Sequence, residues 1–76
     1  MVKNVSELKQ GEMGCISAIN NTGALGIRLM EMGLIPGTFV KSLRKSSHHG
    51  LMEISVRGCK LILGLAEAQE IYVSAQ

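Results

Sequence analysis

Few side chains in this chain can do chemistry, and their spacing sets the first limits. Cys15, Cys59, His48 and His49 are the only soft metal ligands among the 76 residues. None has the Cys-x-x-Cys or His-x-x-x-His spacing that zinc sites use. The two cysteines fit strand positions, where a free thiol behaves as a small hydrophobe. His48 and His49 sit beside Ser46, Ser47 and Gly50, which reads as a solvated loop tip between two strands. Weak metal capture at that tip would lack a nearby acid to complete an oxygen-rich ferrous site. The six acids are all Glu, and they are scattered. That argues against a carboxylate dyad and against a Mg²⁺ enzyme, because both bring acids together. No Ser or Cys sits in a nucleophile elbow, and no Gly-x-x-x-x-Gly-Lys-Ser/Thr run occurs. The expectation is no enzyme, no cofactor and no metal site.

Charge says little more. Eight basic residues against six acids give a net charge of +2, too small to imply nucleic-acid binding by itself. Lys41, Arg44, Lys45, Arg57 and Lys60 can gather on one side of a small barrel. Binding RNA there needs aromatic platforms as well, and Phe39 and Tyr72 are the only aromatics. A solvated, partly paired face is the simpler reading, so no nucleic acid is expected. Phe39 has two readings: outward, it extends an interaction surface; inward, it is the largest core residue.

The elements that must carry these residues are short. A chain of this length is one small domain, residues 1–76, with a thin aliphatic core. Residues near Met1 turn polar at once, unlike a signal peptide. No apolar stretch approaches the roughly 20 residues of a membrane span. A cytoplasmic protein in a reducing compartment is expected. Residues 5–11 read as one turn, with Ser6 as cap and Gly11 as stop. Residues 13–20 read as a strand in which Ile16 and Ile19, three apart, call for a bulge. Further strands are expected at 38–44, at 51–57, after a turn at Gly58, and at Ile71 to Val73. A single helical turn fits residues 65–70. Five strands, one mid-chain helix and tight turns suggest a small closed barrel.

The helix is expected from Asn21-Thr22 to Gly33, capped by Asn21 or Thr22. Gly33 takes the left-handed stop, and Pro36-Gly37 follows as a type II turn. Leu25, Leu29 and Met32 make one apolar stripe; Ile27, Met30 and Leu34 make a second. Arg28 and Glu31 are spaced to pair with each other. A surface helix of a lone small domain needs only one greasy face. Either both stripes clamp inside the fold, or one awaits another protein. The same stripes can also pair two copies of the chain as a homo-oligomer.

The stretch Arg28-Leu29-Met30-Glu31-Met32-Gly33-Leu34-Ile35-Pro36-Gly37 resembles the signature of the FeoA family, small cytosolic components of bacterial ferrous iron uptake. Val5 to Gly11 with Gly14, and Met52 to Gly58 followed by Leu61-Ile62-Leu63, resemble its opening turn and its strand pair. The resemblance implies a mainly β, SH3-like barrel with a helix inserted after the first strand. It implies a regulatory or assembly role beside the membrane permease FeoB, with its cytosolic GTPase domain, and no enzymatic activity. Partner contact then falls to the helix: Leu25, Ile27, Arg28, Leu29 and Met32, with Gly33, Pro36 and Gly37 as backbone shapers. Positions 26 and 27 are often charged in the family; here they are Gly26 and Ile27. The loop at 46–50 also departs from the family's usual Pro and Asp. An alternative is the similar barrel of metal-dependent transcriptional regulators, although these also need a helix-turn-helix, for which 76 residues leave no room. A small RNA-binding barrel is another, and would show steep salt dependence.

Overall fold

The computed structural model describes residues 2–20 and 23–75, with the side chains of Val2 and Ala75 left aside. Its order is β1 (Val2–Asn4), a 3-10 turn (Val5–Glu7), β2 (Met13–Ile19), α1 (Ala24–Glu31), β3 (Phe39–Ser46), β4 (Leu51–Val56), β5 (Cys59–Gly64), α2 (Leu65–Ala68) and β6 (Ile71–Ala75). Six antiparallel strands form one sheet in the order β1-β6-β2-β3-β4-β5. The mainly β, SH3-like expectation holds. Two details change. A short extra strand, Val2–Asn4, precedes the expected first one, so the helix follows the second strand. At three residues it is too short to show an alternating pattern. Among the described residues the barrel is also not closed by hydrogen bonds, since β1 and β5 end the sheet. The 3-10 turn and α2 pack together across that gap.

The core is aliphatic throughout. Val5, Leu8, Ile16, Leu29, Leu34, Val40, Met52, Ile54, Val56, Leu63, Ala68, Ile71 and Val73 form one buried cluster. Alternation predicts most of it: Met52, Ile54 and Val56 point inward on β4 while Leu51 points out. The bulge in β2 is present, with the β2–β6 register shifting between Ile16 and Ala18. Ser17, the extra residue, donates its hydroxyl to the Tyr72 carbonyl at 3.2 Å. A second bulge lies at Leu43, between Ser42 and Arg44. It accounts for the mixed pattern of that strand.

The first turn is capped differently from the expectation. Asn4, not Ser6, precedes the turn. The Asn4 N–H donates to Glu7 Oε1 at 2.8 Å, and the Ser6 hydroxyl donates to Asn4 Oδ1. Gly14 matters for packing: a Cβ there would meet Val73 Cβ at 2.9 Å, so β2 and β6 approach closely only because it is glycine.

Candidate functional site

α1 is shorter than the pattern suggests, running from Ala24 to Glu31 with Gly23 at its N-terminal cap. The expected caps, Asn21 and Thr22, lie outside the described residues. The far end is as expected. Gly33 has φ +95, its N–H bonds the Met30 carbonyl at 2.9 Å, and the Leu34 N–H bonds the Leu29 carbonyl at 3.1 Å. This pair of bonds is a Schellman closure, and its usual apolar contact joins Leu34 to Leu29. Both side chains are fully buried. The Pro36-Gly37 turn also forms, with Gly37 at φ +92 and the Thr38 N–H bonding the Ile35 carbonyl at 3.1 Å.

These anchors decide which face of the helix is free. Leu29 is 0% exposed, Gly26 is buried, and Leu25 is half-buried against the core. Those three positions share one side of the helix. Ile27, at 52% exposure, and Met30 stand on the other side, one turn apart, and Met32 and Ile35 continue the apolar surface beyond the last turn. The two stripes read from the sequence are therefore regrouped. Leu25, Leu29 and Leu34 go inward, and Ile27, Met30 and Met32 go outward. Leu29, expected at a partner contact, is a core residue and reaches no partner without unpacking the helix. Met30, which is not among the expected contacts, lies on the same exposed side as Ile27, three residues on.

Arg28 does not pair with Glu31 as its spacing allows. It reaches across to Glu67 on α2, and Glu67 Oε1 also accepts from the Gly64 N–H at 2.9 Å. α1 and α2 are thereby tied at the surface beside a depression of about 240 Å³ lined by Ala24, Leu25 and Arg28. The tie orients the Arg28 guanidinium rather than adding much stability, because exposed pairs contribute little.

The Cys and His side chains do not come together as a set. His48 and His49 stack edge to face, with centroids 4.9 Å apart at 78°, and both are exposed. Cys15 is half-buried on β2. Cys59 was expected to behave as a small hydrophobe but is exposed. It shares the inward face with Leu61 and Leu63, yet lies at the end of the sheet's last strand. Among the described residues no three His, Cys, Asp or Glu side chains gather as a metal site. No described helix is long and apolar enough to cross a membrane.

The FeoA domain profile matches residues 3–75. The chain belongs to the FeoA family. This family is linked to ferrous iron transport and consists of small accessory domains. A crystal structure of an iron uptake regulatory protein, FeoA, is similar at 29% identity and TM-score 0.90, over 100% of this chain and 99% of that one. The FeoA protein of Chlorobium tepidum is 30% identical with TM-score 0.85, over 95% of this chain and 69% of its own. A manganese-dependent transcriptional repressor shares the fold at 17% identity and TM-score 0.91, and the FeoA-family chain covers only 37% of it. No curated protein matches by sequence.

Proposed function

We propose that this FeoA-family chain is a non-enzymatic accessory protein of bacterial ferrous iron uptake. It acts in the cytoplasm by contact with the cytosolic part of a FeoB-type permease. The outward face of α1 makes that contact: Ile27, Met30 and Met32 supply apolar area, and Arg28 supplies an oriented cation at its edge. The observation that carries the reading is a helix pinned by Leu29 and Leu34 that still leaves its other side uncovered. An amphipathic helix of this kind fits a partner's groove, and methionines adapt to the shape they meet. Iron is cargo of the permease and needs no site on this chain.

The test is co-purification of the full chain with the cytosolic part of the permease. Replacing Ile27 and Met30 together by Glu should abolish capture while circular dichroism and melting stay near wild type, because neither side chain is in the core. Capture that survives the double replacement would falsify the reading. A stable dimer of the chain that depends on the same two residues would instead assign the face to a second copy.

A further inference from the structure

A second surface, carried by the strands and not by α1, has different chemistry. The β2–β3 register sets Cys15 against Phe39 and Met13 against Lys41. The β3–β4 register sets Lys41 against Ser55, and the β4–β5 register sets Ser55 against Lys60. Arg57 lies just past this ladder, in the turn after Val56, the last paired residue of β4. The strand residues among these share the outer face of the sheet, because directly opposed strand residues point the same way. Phe39 is 49% exposed and Met13 43%. Between Phe39 and Arg57 lies a depression of about 370 Å³, with Gly37 and Thr38 completing its lining.

Two features mark this patch. Arg57 takes φ +53 at the first position of a two-residue hairpin, and Gly58 follows at φ +81. Both values suit a type I′ turn, where Asn or Gly is the unstrained choice at the first position. Arg57 is the only non-glycine at positive φ among the described residues. Its guanidinium and the Lys41 ammonium also have no ion-pair or side-chain hydrogen-bond partner among the described residues. Lys60 meets Glu53 only at 3.8 Å, and Glu53 is shared with Arg44 at 3.6 Å.

We propose that this patch, centred on Phe39 and Arg57, is a second docking surface, and that its occupant is an acidic protein segment carrying an apolar residue. The unpaired cations ask for carboxylates, and a planar guanidinium takes a carboxylate in two parallel hydrogen bonds. The depression beside Phe39 offers a concave contact for an apolar side chain. A bilayer would need apolar groups that protrude, whereas here the guanidinium shares the depression with the ring. A nucleic-acid strand would need a longer row of cations and more than one aromatic platform. The proposal stands apart from the reading of α1.

The experiment titrates the full chain with a short Glu-rich peptide bearing a central Leu-Phe pair and follows backbone amide shifts. The expected shifts fall in 37–41 and 55–60. Arg57→Gly should weaken binding about tenfold, the worth of one charged hydrogen bond. It should not lower the melting temperature, because glycine suits the turn. Phe39→Ser should weaken binding as well. Replacing Ile27 and Met30 by Glu should leave peptide affinity unchanged, which separates this surface from the helix. Absence of shifts in 37–41 and 55–60, unchanged affinity in Arg57→Gly, or a loss on changing Ile27 and Met30 equal to that of Arg57→Gly would each overturn the proposal. Tighter binding to single-stranded RNA or to phosphatidylglycerol-containing vesicles than to the peptide would overturn it too.

Discussion

On α1, Ile27, Met30 and Met32 stand around one cation, Arg28, which Glu67 already holds. On the outer sheet, Phe39 and Met13 stand among Lys41 and Arg57, which no described carboxylate holds. The first surface is apolar with its charge oriented; the second is cationic with an apolar anchor. They also arise differently. The helix face is what remains after Leu25, Gly26 and Leu29 have been spent on the core. The sheet face is set by strand register, which turns every second residue outward whatever its type. A substitution on the buried side of the helix should therefore cost folding, while one on either outer surface should cost binding.

The sharpest way to break that contrast is to truncate neighbouring residues on the two sides of α1. Leu29→Ala should destabilise by about 2–5 kcal/mol, the range for a buried Leu that leaves a cavity. Ile27→Ala should change stability by no more than about 0.5 kcal/mol, as exposed substitutions do. Urea unfolding followed by circular dichroism measures both. A 76-residue chain has little stability to lose, so Leu29→Ala should be partly unfolded at room temperature. Equal costs at the two positions would mean that the exposed side of the helix is not exposed in solution.

How much of this was legible in the sequence depends on the range of the interaction concerned. The stop at Gly33, the Pro36-Gly37 turn, the β2 bulge and the alternation of β4 are local, and local spacing announces them. The choice between the two helix stripes is not local. It depends on where the sheet lies, and the sequence gives Leu29 and Ile27 similar claims to the core. The Arg28–Glu67 pair joins residues 39 apart, so the nearer Glu31 was the natural but wrong partner. The exposure of Cys59 likewise follows from strand order, which puts β5 at the end of the sheet. Phe39 was undecided because the bulge at Leu43 breaks the alternation of its own strand. Only pairing with β2 and β4 turns it outward.

A second pair of substitutions compares positive-φ positions on the two surfaces. Gly33 ends α1 at φ +95, and Arg57 opens the hairpin at φ +53. Gly33→Ala places a Cβ where the left-handed backbone opposes it and should cost about 1 kcal/mol or more. Arg57→Gly removes the same kind of opposition, but makes the unfolded chain more flexible. The two terms are of similar size, so a net gain of at most about 1 kcal/mol is expected. Thermal melting of the two variants checks the opposite signs. A clear loss in Arg57→Gly would show that the side chain braces the fold, and would weaken the case that it is held ready for a ligand.

The smallest effect concerns the acid nearest Met13 in the chain, and it bears on why the sheet face stays cationic. Glu12 is not available to neutralise Lys41 or Arg57. Its carboxylate accepts the Lys9 N–H at 2.8 Å and the Lys3 ammonium at 2.9 and 3.1 Å. The backbone bond from Lys9 and then the side-chain bond from Lys3 hold its pKa below the ordinary Glu value, against a smaller opposing effect of burial. In the unfolded chain Glu12 titrates near the usual value of about 4.3. A carboxyl whose folded pKa is the lower one contributes its full stability above that unfolded value. The contribution is lost as pH falls through the lowered folded value. Wild type should therefore lose slightly more stability than Glu12→Gln between about pH 6 and pH 3, with the difference confined to the acid end. Added salt should shrink the share that comes from Lys3 and leave the Lys9 bond largely intact, because only the former joins two side-chain charges near solvent. Paired urea titrations across that range measure the difference. Identical acid slopes in the two proteins would show that Glu12 is not held by Lys3 and Lys9. It would then be free to swing toward the sheet face and reduce its charge.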